Sequence, residues 1–185
     1  MSRVFKTTYL LLFTAFLCGC GEPEIVTYET EKKVHMNSVK KEKSDGHNHS
    51  PYAWDKPENW TQEMGRSMRL VSFGLTEGGL DVSIVQLGGA AGGIKANVNR
   101  WRGQLSLENE SEENILKTIT KQKSKIGEFS WTLLSNEKES FLVSIYNLPG
   151  ATLFVKAKGS IAIIEQEKNN FLSLCRSIKA NDHQH

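Results

Sequence analysis

Residues 51–180 predict an α+β sandwich, an antiparallel sheet of about five strands packed with helices. Three observations carry that prediction. Short β-rich runs are joined by turn residues tight enough for hairpins, and hairpins make antiparallel pairs. Two segments carry apolar residues at helical spacing. Each of those helices has a single apolar stripe, which is stable only when buried against another layer.

The elements follow in chain order. Trp54, Pro57 and Trp60 open the domain with aromatics and a fixed turn. Ser67–Leu75 and Leu80–Leu87 are β-rich, and Gly78-Gly79 between them marks a hairpin. The run Gly88-Gly89-Ala90-Ala91-Gly92-Gly93 leads into a helix from Ile94 to Leu105, on which Ile94, Val98, Trp101 and Leu105 form one stripe. A second helix is predicted over Ser111–Lys123. There Asn109 with Glu112 suits a capping box, acids fill the first turn and lysines the last. Strands at Phe129–Leu134, Ser140–Tyr146 and Thr152–Lys158 follow, with Asn136 and Pro149-Gly150 supplying the turns. The last helix, Ile161–Ile178, repeats Ile164, Phe171, Cys175 and Ile178 at helical spacing, with Cys175 inside the stripe.

The ends have a different texture. Arg3 and Lys6 give a positive start, and Tyr9–Leu17 is apolar. That run is shorter than the roughly 20 residues a bilayer span needs, so residues 1–19 read as a secretory signal. Leu17-Cys18-Gly19-Cys20 resembles the lipobox of bacterial lipoproteins. The resemblance implies cleavage before Cys20, lipid on that cysteine, and a protein anchored to a membrane of the cell envelope, facing the periplasm or the exterior. Residues 20–50 are rich in Glu, Lys, Ser, Asn and His and are expected to form a disordered tether. A flexible chain of that length reaches roughly 30 Å.

Charge and cysteine content exclude two classes. The precursor has 23 Lys and Arg against 21 Asp and Glu. Loss of Arg3 and Lys6 leaves 21 of each, so the mature chain is neutral and has no general pull on nucleic acid. Of three cysteines, Cys18 leaves with the signal and Cys20 takes the lipid, so Cys175 has no disulfide partner.

Pro57-Glu58-Asn59-Trp60 resembles the proline-x-x-tryptophan opening of PsbP-like domains. The late strand Leu153–Gly159 and the helix ending Phe171-Leu172, then Cys175-Arg176-Ser177, are similar too, and Asn97–Leu105 resembles a block in uncharacterised envelope lipoproteins. The resemblance implies an αβα sandwich, and an accessory or assembly factor rather than an enzyme.

Candidate chemistry is sparse. The glycine run before the first helix offers N–H groups to an anion, but it lacks the lysine and hydroxyl of a P-loop, and a tight turn or close approach is the preferred reading. On the first helix Asn97, Arg100 and Gln104 converge on one shoulder, with Arg102 and Lys95 on the other and the small Ala96 and Gly103 between. Such a patch suits a carboxylate, a phosphate or a partner's backbone; the competing reading is that its polar side chains bond neighbouring loops. His47 and His49 in the tether, and His183 and His185 in the tail of residues 181–185, are candidates for a transition metal, but neither pair comes with a third, rigidly placed ligand, and solvated tails are the preferred reading. Residues 52–178 contain no histidine, and no nucleophile motif is present. The expectation is a lipid-anchored binding or assembly module without catalysis or cofactor, whose partner is an envelope protein or a small anion. Low-affinity metal handling by the histidine tails and an enzyme using carboxylate chemistry stay open as alternatives.

Overall fold

In a computed structural model of the chain, residues 50–65 and 67–181 are described. The expected signal, the lipobox-like segment, the expected tether up to residue 49 and both histidine pairs lie outside the described residues. The described chain runs β1 (Tyr52–Ala53), β2 (Trp60–Met64), β3 (Arg69–Leu75), β4 (Leu80–Gly88), α1 (Gly93–Gln104), α2 (Glu112–Thr118), β5 (Thr120–Ser124), β6 (Gly127–Ser135), β7 (Glu139–Leu148), β8 (Ala151–Ser160), α3 (Ile161–Ser177) and β9 (Lys179–Ala180). Seven strands form one antiparallel sheet in the order β2-β3-β4-β8-β7-β6-β5. The short β1 and β9 pair apart from it, joining the two ends of the domain.

The α+β class is as expected, with helices on both faces of an antiparallel sheet. Alternation along the strands builds the layers. Leu142 and Tyr146 of β7, with Leu153, Val155 and Ala157 of β8, face α3 and its Ile164, Phe171, Leu174 and Cys175. Phe141, Val143 and Ile145 of β7, with Phe154 of β8, face Val98, Trp101 and Leu105 of α1 and Ile115 of α2.

The sheet has seven strands where about five were expected, and both additions are edges. β2 is short and, beyond buried Trp60, exposes Thr61, Gln62 and Glu63. β5 takes the last four residues of the predicted Ser111–Lys123 helix. The helix stops at Thr118 because Thr118, Ile119 and Thr120 are β-branched and turn the backbone extended. Lys121 and Lys123 therefore do not cap a helix; they guard an exposed sheet edge, with Lys121 3.0 Å from Glu128 of β6. The N-cap of α2 is Ser111, whose hydroxyl accepts from Asn114 N at 3.2 Å, and not Asn109.

The turns follow the sequence. Gly78 and Gly79 both take φ 83°, and a Cβ at Gly79 would lie 2.6 Å from Ile163 Cδ1, so the β3–β4 turn needs glycine there. Asn136 closes the β6–β7 turn by accepting from the amides of Lys138 and Glu139, both at 2.8 Å. Its Nδ2 donates to Leu105 O at the end of α1.

Cys175 lies fully buried in the α3 stripe, its Sγ 3.4 Å from Ser144 Oγ. Burial pushes its thiol up to about 12, so no thiolate is present at neutral pH. The native chain is expected to leave Cys175 unlabelled by a thiol reagent over hours and to react fully in denaturant, as peptide mapping would read. Fast native labelling would contradict this packing.

Candidate functional site

Helix α1 is set over the sheet by Val98, Trp101 and Leu105, and Trp101 meets Phe154 of β8 edge-on at 5.9 Å between ring centres. Between α1 and the β3–β4–β8 wing lies a cleft of about 480 Å³. Its floor is Val85, Leu87, Trp101 and Phe154. Polar groups stand around them: Arg100 and Gln104 from α1, Arg69 from β3, Ser83 from β4 and Lys156 from β8. Period-two alternation explains why Ser83, Val85 and Leu87 share one face, as do Phe154 and Lys156. Met68, 69% exposed, sits at the mouth.

The charges are unevenly matched. Arg69 is held by Asp81 in a two-pronged contact, at 2.7 Å and 3.0 Å. Lys156 donates to the neutral Gln104 Oε1 at 3.0 Å and lies 4.7 Å from the centre of the Phe141 ring. Burial lowers its pKa most, and Arg69, Lys158 and Arg100 push the same way against Asp81. Arg100 is exposed; its Nη2 donates to Asn97 Oδ1 at 2.7 Å and its guanidinium lies 6.0 Å from the Trp101 ring centre. A second hollow of similar size, about 480 Å³, lies over β2, β3 and β4 and shares Arg69, but Glu63 and Asp81 line it. The α1 cleft is the cationic one.

Of the residues singled out on α1, Arg100 and Gln104 line the cleft. Asn97 does not: it is buried, and its Nδ2 donates to the carbonyls of Ala91 at 2.8 Å and Gly93 at 2.7 Å. It fixes the glycine-rich turn onto the helix and steadies Arg100. Arg102 also turns away, its Nε donating to Glu108 O at 2.7 Å, with Glu110 at 3.8 Å. Ala96 and Gly103 are exposed, and nothing packs within 4 Å of a Cβ built at Gly103. The glycine run is a turn: Gly89 N donates to Gly150 O and Thr152 Oγ1 to Gly89 O, so it lies close against the β7–β8 hairpin.

Sequence reasoning missed Arg69, Ser83 and Lys156, which come from three separate strands. Their signal is faint, a polar residue at an alternate position within an otherwise apolar strand. Lys156 pairs directly with Ser83 in the β4–β8 register, the residue types of a serine–lysine dyad. The hydrogen bond from Nζ goes to Gln104 instead, and among the described residues the Ser83 hydroxyl has no base bonded to it.

No family model and no curated protein matches the chain. Solved structures similar to it include one from Bacteroides thetaiotaomicron, at 10% identity and TM-score 0.45, over 72% of this chain and 46% of that one. Another is the solution structure of cyanobacterial PsbP (CyanoP) from Synechocystis sp. PCC 6803, at 10% identity and TM-score 0.47, over 71% of this chain and 87% of that one. This chain therefore spans less than half of the first protein and most of the second.

Proposed function

We propose that this protein is a binding or assembly module of the cell envelope, tethered by lipid on Cys20, that holds its ligand or partner in the α1 cleft and performs no chemistry on it. One observation carries the reading: Arg100, Gln104 and Lys156 stand over an apolar floor in a cleft whose lining contains neither a carboxylate nor a thiol. Pockets built this way, apolar with a few placed polar groups, are where small ligands and anchoring side chains bind. The unactivated Ser83 hydroxyl supports binding over catalysis.

A photo-crosslinker at Met68, at the exposed mouth, tests the site in intact membranes. A discrete adduct that disappears with Lys156→Glu is expected. No adduct from Met68, with one formed equally well from α3, would overturn the cleft assignment. The address has its own test. Cys20→Ala should abolish lipid labelling and leave uncleaved precursor, whereas normal processing of that variant would refute the anchor.

A further inference from the structure

We infer that the α1 cleft takes a small amphiphilic anion, its acidic head between Arg100 and Lys156 and its apolar body on Val85, Leu87, Trp101 and Phe154. The inference rests on the cleft being the binding site and adds the chemical class of what fills it.

Among the described residues neither Arg100 nor Lys156 forms an ion pair, whereas Arg69, Arg102, Lys117, Lys121 and Lys158 each have a carboxylate within 4.0 Å. An exposed lysine needs no partner, but Lys156 is half-buried, and a cation drawn out of water is stable only when paired or well hydrogen-bonded. Its present partners are neutral, the Gln104 amide and the Phe141 ring. Asp81, whose charge acts on it, already has both oxygens on Arg69. Asp81 thus serves Arg69, and the other two cleft cations, Arg100 and Lys156, are left to be neutralised from outside.

Donor geometry agrees. An ammonium has three donors and a guanidinium five. One of each is used, on Gln104 and on Asn97 respectively. The Asn97 bond also holds Arg100 from its own helix, so its free edge is set before a ligand arrives, which lowers the cost of ordering. The head must therefore be an anion that accepts several hydrogen bonds, such as a carboxylate or phosphate. The body is fixed by the floor. Half-buried Val85 and Leu87, with the margins of the Trp101 and Phe154 rings, offer nothing to a purely polar anion, so inorganic phosphate alone would leave the apolar floor uncovered.

Calorimetry on the full chain in zwitterionic nanodiscs tests this, with naphthalene-2-acetate and its neutral near-isostere naphthalene-2-acetamide as probes. The acid should bind about tenfold tighter than the amide. Arg100→Gln and Lys156→Met should each weaken the acid about fivefold or more and leave the amide unchanged. Lys158→Met, which removes a neighbouring cation already paired with Glu139, should change neither. Equal binding of acid and amide would overturn the anionic class while leaving the cleft as a site. Binding of neither probe would overturn the small-ligand inference, and an acidic segment of a partner protein, seen as a Lys156-dependent protein adduct from Met68, would take its place. Failure of the Met68 adduct itself is the separate result that removes the cleft.

Discussion

Glu167→Ala is expected to destabilise the domain by about 2–4 kcal/mol, read as a lowered denaturation midpoint with an unchanged slope. Glu167 is the one buried charged side chain among the described residues, 3% exposed, and it lies on the α3 stripe between Ile164 and Phe171. Its carboxylate is held by three donors: Trp60 Nε1 at 2.7 Å, Asn170 Nδ2 at 2.7 Å and Asn59 Nδ2 at 3.1 Å. Two of those come from the Pro57–Trp60 opening, far away in sequence, so the carboxylate clasps β2 and its preceding turn onto the final helix. Truncation strands the Trp60 N–H, which is buried, and opens space beside it; hydrogen bonds to a charged group are worth about 1.5–3 kcal/mol each. Glu167→Gln separates shape from charge. The amide keeps the volume but turns one acceptor into a donor facing another donor, so it should still cost about 2 kcal/mol. If both variants melt like the unmodified chain, the clasp has no energetic role and the Pro57–Trp60 opening is held by packing alone.

That carboxylate also shows what the sequence makes readable. Glu167 falls at helical spacing with Ile164 and Phe171, and an acid on an apolar stripe is a visible anomaly; its partners Asn59 and Trp60, over 100 residues earlier, are not. The central strands are readable because burial of both faces gives β7 and β8 unbroken apolar runs, Phe141–Val143 and Leu153–Val155. The edges β2 and β5 are not, because an edge strand protects itself with the charges and polar groups that otherwise suggest a loop or a helix end. The same difficulty divides the site. A helical wheel places Arg100 and Gln104 beside the stripe, where they indeed meet the cleft. It places Asn97 there equally, and cannot tell that the carbonyls of Ala91 and Gly93 draw its amide inward. The strand half of the cleft, Arg69, Ser83 and Lys156, exists only once β3, β4 and β8 are in register, and no local pattern encodes that meeting.

Trp101→Ala and Arg100→Ala, adjacent on α1, are expected to fail in opposite ways. Trp101 is 4% exposed and packs on Phe154 within the α1–α2 core, so its truncation should cost about 3–5 kcal/mol. It also forms part of the cleft floor, and its loss would run the cleft into the core beside it. Arg100 is exposed and is bonded to Asn97 and its neighbouring ring alone. Asn97 keeps both of its own bonds to the glycine turn when Arg100 is removed, so stability should move by no more than about 1 kcal/mol. Binding of naphthalene-2-acetate should nonetheless fall about fivefold or more, since a charge-assisted donor is lost from the head of the site. Denaturation midpoints and calorimetry on the two variants read both quantities. Were Arg100→Ala to unfold the domain as severely as Trp101→Ala, the arginine would be a structural clamp on the glycine turn. The cleft would then retain Lys156 as its sole anion-binding cation, and the anionic head would lose half of its grip.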